Sequence, residues 1–95
     1  MEMYFVYIIT NHTNTVLYTG VTNNLERRLY EHKNGINVSS FSKKYRLYKL
    51  LWFEQFDNIK DAIETEKRIK GWKRHRKINL IRGENPQFLD LSSKL

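Results

Sequence analysis

The first twenty residues constrain this chain most, because they read as two short strands joined by a turn. Met3 to Thr10 (MYFVYIIT) is a run of aromatic and β-branched residues, the composition of a strand buried in a pleated sheet. Asn11 to Asn14 (NHTN) is a cluster of turn formers. Thr15 to Thr19 (TVLYT) has the same β character and stops at Gly20, so the stretch predicts an antiparallel β-hairpin. Whatever follows must cover the apolar faces of that hairpin.

The remaining sequence supplies the cover. Asn23 offers an N-cap, with Glu26 three residues on in a capping-box pattern, and predicts a helix from about Asn24 to Asn34 that ends at Gly35. Ile36 to Arg46 reads as a polar loop, and Leu47 to Phe56 (LYKLLWFEQF) as a third strand. Asp57 or Asn58 caps a second helix from about Ile59 to Lys70, Gly71 breaks it, and a short basic helix runs from Lys73 to Ile81. The expected fold is α+β: a small three-stranded antiparallel sheet flanked by three helices in the order ββαβαα. One domain over residues 1–83 is expected, with residues 84–95 as an irregular tail opened by Asn85-Pro86. A chain of 95 residues holds one core, and an apolar share of 40% excludes wholesale disorder. There are no cysteines, so disulfides and thiolate metal sites are excluded. No apolar run approaches the ~20 residues of a membrane span and no signal-peptide pattern stands out, so the expected location is the cytoplasm.

The charge is strongly positive, +7 in total, and unevenly placed. Lys67 to Lys77 contains Lys67, Arg68, Lys70, Lys73, Arg74, Arg76 and Lys77, and the loop after the first helix carries Lys43, Lys44 and Arg46. These are either solvated faces or surfaces that meet a polyanion. Phe41 and Tyr45 in the same loop either pack it onto the domain or stack on an exposed base.

Helix periodicity singles out polar residues at core positions. In the first helix Leu25 and Leu29 mark the inward side, and Arg28 and His32 share their stripe while Arg27, Tyr30 and Glu31 point elsewhere. A charge between core leucines needs a partner: a carboxylate, water reached by a snorkelling stem, or a bound anion. In the second helix Ile59, Ala62, Ile63 and Ile69 form the stripe, with Glu66 within it and Glu64 on the far side. Glu66 either pairs with Arg28 or Lys70, or holds a hard cation such as Mg²⁺. Tyr7 and Tyr18 stand on the paired strands. Two phenols, an inward arginine, a histidine and an inward carboxylate suit phosphodiester hydrolysis: a phenol to relay a proton from water, a guanidinium fork for phosphate oxygens, a cation for the leaving oxygen.

With those residues in view, the chain resembles the GIY-YIG nuclease superfamily. Phe5-Val6-Tyr7 and Tyr18-Thr19-Gly20 stand where its two motifs would be. LYTGVTNNLERRLYEH (Leu17 to His32) is similar to its second motif and following helix, with Arg28 ten residues and His32 fourteen residues beyond Tyr18. Ala62 to Trp72 (AIETEKRIKGW) is similar to the region carrying the family's metal-binding glutamate, at Glu66. The likeness runs from about Tyr4 to Ile81 and is closest to short, single-domain bacterial members. It implies an endonuclease using one Mg²⁺ or Mn²⁺, with Tyr7 and Tyr18 handling the attacking water. Arg28 would stabilise the phosphate's charge, His32 would assist proton transfer, and Glu66 would hold the metal. Lys43, Lys44, Lys70, Lys73, Arg74 and Lys77 would contact nucleic acid, DNA first, and a partner protein would supply targeting. Where some relatives carry a lysine after the second motif's glycine, this chain has Val21, and Asn79 is the candidate for a late asparagine of some family sites. The alternative is a nucleic-acid-binding module of the same fold without catalysis.

Overall fold

A computed structural model describes residues 2–95. The elements are β1 (Tyr4–Thr10), β2 (Leu17–Thr22), α1 (Leu25–Asn34), α2 (Ser40–Tyr45), β3 (Lys49–Phe56), α3 (Ile59–Lys70) and α4 (Arg74–Glu84), followed by a 3₁₀ turn at Leu91–Lys94. The hairpin forms as the sequence predicts, and the antiparallel sheet has the order β2-β1-β3. The fold class is the expected α+β arrangement, with one helix more than expected.

Central β1 is apolar from Tyr4 to Ile9 because both of its faces are covered. Tyr7 and Ile9 point to one side, where they pack with Leu25 and Leu29 of α1 and with Leu47 and Leu50. Val6 and Ile8 point to the other, packing with Leu51, Trp52, Ala62 and Ile69 of α3, and Ile81 of α4. A register shift between Ile8 and Ile9 sets Ile8 opposite Trp52 and Ile9 opposite Leu50. That shift is a β-bulge at Leu51, which lets the consecutive residues Leu51 and Trp52 both join the α3–α4 side.

Several boundaries differ from expectation for local reasons. The cap of α1 is Asn24, whose side chain accepts from the Arg27 N–H, so Asn23 and the Glu26 capping box are not used. The expected polar loop contains α2, a six-residue helix capped by the Ser39 hydroxyl and closed by Arg46 in the left-handed region. It carries no apolar stripe to announce it, and only Ser42 is buried. Strand β3 begins at Lys49 rather than Leu47, and α4 continues through Gly83 to Glu84. It stops before Pro86, a residue that disfavours helix at the position preceding it. The inward stripe of α3 is narrower than predicted. Ala62, Glu66 and Ile69 are buried, while Ile59 and Ile63 are exposed on its flank. Ile63 sits about 100° round the helix from Ala62, beyond the line of contact with the sheet.

The chain after Gly83 is anchored to β3. Asn85 is buried, donates to the Leu51 carbonyl at 3.1 Å and to the Leu89 carbonyl at 2.9 Å, and Asp90 accepts from the Leu50 N–H at 3.1 Å. Among the described residues no helix is long and apolar enough to cross a membrane.

Candidate active site

Tyr7 lies opposite Gly20 in the hairpin register, and its ring crosses over that glycine. A Cβ on Gly20 would fall 2.5 Å from the Tyr7 hydroxyl oxygen, so the neighbouring strand must be bare at that point. The phenol is thereby held in a buried slot, where its hydroxyl meets Nε2 of His32 at 3.2 Å. On the other side of the imidazole, Nδ1 meets the Ser42 hydroxyl at 3.2 Å. His32 and Ser42 are both buried. The neutral ring carries one proton, so one hydroxyl donates to it and the other accepts from it. The Tyr18 ring completes the cluster, with its centroid 5.6 Å from that of His32 and 6.5 Å from that of Tyr7.

Burial dominates the protonation of this cluster. It pushes the Tyr7 phenol up to about 12, with the nearby Arg28 guanidinium pulling the other way and Tyr18 and Glu66 adding to the rise. Burial, helped by Arg28, pushes His32 down to about 4, so the imidazole is neutral at physiological pH.

Arg28 meets its anion on its own helix. Nη1 donates to Glu31 Oε1 at 3.2 Å and to the Asn37 carbonyl at 2.8 Å. Glu31, expected to point elsewhere, is therefore the partner the Arg28 charge required, and the guanidinium holds its carboxyl below the usual range. Glu66 does not pair with Arg28. Its Oε2 takes the Lys70 ammonium at 2.9 Å, one helical turn on. Lys70, expected on a nucleic-acid surface, thus stands at the site, 5.8 Å from the centre of the Tyr18 ring.

The packing of α3 on β1 and β2 brings Glu66 close enough for its charge to bear on Tyr7. Mg²⁺ typically takes one or two protein carboxylates, keeps several waters and draws other ligands from substrate phosphate. A single buried carboxylate that makes its ion pair through Oε2 alone fits that mode of binding. A cage built of protein alone is a different matter, since among the described residues no group of three or more His, Asp or Glu is placed to form one.

The other sequence candidates are scattered more widely. Lys43 and Lys44 lie on α2, and the Lys44 ammonium is 5.3 Å from the centre of the Tyr45 ring. Phe41 and Tyr45 are exposed and lean on each other with ring centres 4.9 Å apart and planes tilted by 55°. Lys73 precedes α4, Arg74 donates to the Asn14 carbonyl at 3.1 Å, and Lys77 is half-buried. Asn79 is exposed. Sequence reasoning missed Ser42, because nothing in a polar stretch distinguishes one serine from Ser39 or Ser40 until the helix turns it onto His32. The Ser39 capping position, three residues ahead, is the signal that could have found it.

A family profile described as the GIY-YIG catalytic domain matches residues 3–79. A UPF0213 protein of Syntrophus aciditrophicus is 37% identical over 87 residues, covering 92% of this chain and 98% of its own length. Another, from Clostridium perfringens, is 39% identical over 79 residues, covering 83% of each chain. The solution NMR structure of a UPF0213 protein from Bacillus halodurans shares the fold, with a TM-score of 0.58 at 22% identity over 93% of this chain and 92% of that one.

Proposed function

This chain belongs to the GIY-YIG family, and from that premise we propose that it is a metal-dependent endonuclease hydrolysing nucleic-acid phosphodiester bonds, those of DNA first, in repair or processing. The observation that carries the reading is the hydrogen-bonded run from Tyr7 through His32 to Ser42, with Arg28 and Glu66 beside it.

In the productive tautomer Nδ1–H donates to Ser42 and Nε2 accepts from the Tyr7 phenol. At rest Tyr7 is protonated, so it first acts as an orienting hydroxyl for water. It takes a proton from that water only as its own passes to His32, and Arg28 is the resident cation that favours the phenolate. Arg28 uses Nη1 on Glu31 and Asn37, which leaves the rest of its fork to face phosphate oxygens. Tyr18 walls the water in from the side of β2. Glu66 would hold the divalent cation, which supplies positive charge for the departing oxygen when bound. Lys43, Lys44, Lys73, Arg74 and Lys77 position the strand through its phosphates. Targeting to a particular structure comes from a partner protein.

The test is cleavage of single-stranded, duplex, flapped and branched DNA and of matching RNA, with Mg²⁺, Mn²⁺ or EDTA. Cutting is expected only with metal, and Glu66→Ala, Arg28→Ala and Tyr7→Phe each lower it by about 10²-fold or more. The Glu66–Lys70 ion pair favours a second reading, a binding module in which Glu66 is structural. Salt-sensitive DNA binding with no cutting above the level of Glu66→Ala on any substrate would establish that module and remove the nuclease.

A further inference from the structure

On the Nδ1 side of His32 lies a cavity of about 360 Å³, open to solvent. Its lining includes His32 and Ser42 but not Tyr7. Three cations converge on it from different elements: Lys33 from the end of α1, Lys43 from α2 and Arg46 from the cap of α2. No carboxylate lines it among the described residues, and Tyr48 gives it an aromatic wall.

Two backbone positions in the left-handed region border the cavity, Gly35 at a φ of 66° and Arg46. Gly35 lies beneath the Lys43 stem, whose carbons would stand 3.7 and 3.9 Å from a Cβ there. Arg46 is held at a φ of 53°, a conformation that costs an L-residue with a Cβ and that glycine adopts freely. A glycine would close α2 with less strain, and the arginine instead adds a cation to the cavity's lining.

We propose that this cavity is a second nucleotide subsite, which takes a nucleotide of the bound strand flanking the phosphodiester at Arg28. Lys33, Lys43 and Arg46 hold its phosphate, and Tyr48 meets its sugar and base. The proposal rests on the nuclease reading for the identity of the strand. Three cations without a carboxylate favour an anionic ligand, and the guanidinium fork favours phosphate geometry. The volume falls in the ~300–1,000 Å³ range of pockets that bury small ligands. His32 borders both the cavity and the Tyr7 cluster, so the two places stand on either side of one imidazole ring.

The test is an NMR titration of the full chain, without metal, with inorganic phosphate, thymidine 5′-monophosphate and a thymidine trinucleotide. Saturable shifts are expected at the Gly35, Ser42 and Arg46 amides, with affinity rising from phosphate to mononucleotide to trinucleotide. Arg46→Gly, whose backbone suits the site, weakens the trinucleotide roughly tenfold without lowering Tm, and Lys43→Gln weakens it too. Glu64→Gln, on the exposed far side of α3, leaves the binding in place. Shifts unchanged by Arg46→Gly, shifts spread over distant lysines, or phosphate binding as tightly as the trinucleotide would each overturn the subsite. No cutting is read, so the two ideas fail separately. Binding by a protein that never cleaves removes the nuclease and keeps the cavity's ligand, whereas cleavage without these shifts removes the subsite alone.

Discussion

Gly20 shows how one hydrogen atom in place of a side chain sets up the site. Tyr7 is 1% exposed and has no room to swing away from an added methyl group. Gly20→Ala is therefore expected to destabilise the fold by about 1–3 kcal/mol through overpacking. Cleavage should fall further than the loss of folded protein explains, since the Tyr7 hydroxyl is what the methyl displaces. Urea denaturation beside a cleavage assay separates the two effects. His32 gives a stability prediction with a definite sign. Its folded pKa of about 4 lies below the free value of 6.5, so the unfolded chain binds the proton more tightly. Its contribution is complete above pH 6.5 and is lost as pH falls toward 4, at up to ~1.4 kcal/mol per pH unit. Denaturation curves at pH 7.5 and pH 5 should show that slope in the wild type and a shallower one in His32→Gln. The pH–rate profile should show no His32 inflection between pH 5.5 and 7.5, because the resting imidazole is neutral across that range.

At the scale of elements, α2 is the least expected and the most consequential. Six residues make a marginal helix on propensity alone. It is held by the Ser39 cap, by Arg46 at the other end and by the buried contact from Ser42 to His32. Ser42→Ala leaves Nδ1 without its partner and is expected to cost about 1–3 kcal/mol. It should also redistribute the His32 tautomers, visible in imidazole ¹⁵N shifts. Arg46→Gly relieves the left-handed backbone and should stabilise the chain by ~0.5–1 kcal/mol, even as it removes a cation from the cavity. A lower melting temperature for that variant would mean that the arginine side chain holds α2 in place.

Across the whole molecule, the net charge of +7 predicts nucleic-acid binding that weakens steeply with salt. Replacing Lys73 and Lys77 by glutamine should flatten that salt dependence by about one unit for each phosphate no longer neutralised, equally for all sequences, as fluorescence anisotropy over a KCl series would show. Arg74 should contribute less, since one of its N–H groups already serves the Asn14 carbonyl. Much of the architecture was legible beforehand, because the signals are periodic and local. The hairpin, the span of α3 and the choice of His32 as an inward residue follow from strand composition and the 100° advance of a helix, whereas Arg28 is only half-buried. What could not be settled was which pairings form. Arg28 found Glu31, which the periodicity had turned elsewhere, and Glu66 took Lys70, one of the two partners the sequence offered, because the neighbour a side chain meets depends on its rotamer and on which flank is covered. Ile59 and Ile63 were misplaced for the same reason: periodicity gives a face, but only the sheet beneath decides how wide a face is buried. The sequence by itself determined the α+β fold and the inward placing of His32 and Glu66, since backbone periodicity and burial of apolar surface act over a few positions of the chain. Only the tertiary structure decided that Tyr7, His32 and Ser42 form one hydrogen-bonded run, because three elements distant along the chain must pack before hydroxyl and imidazole come within reach.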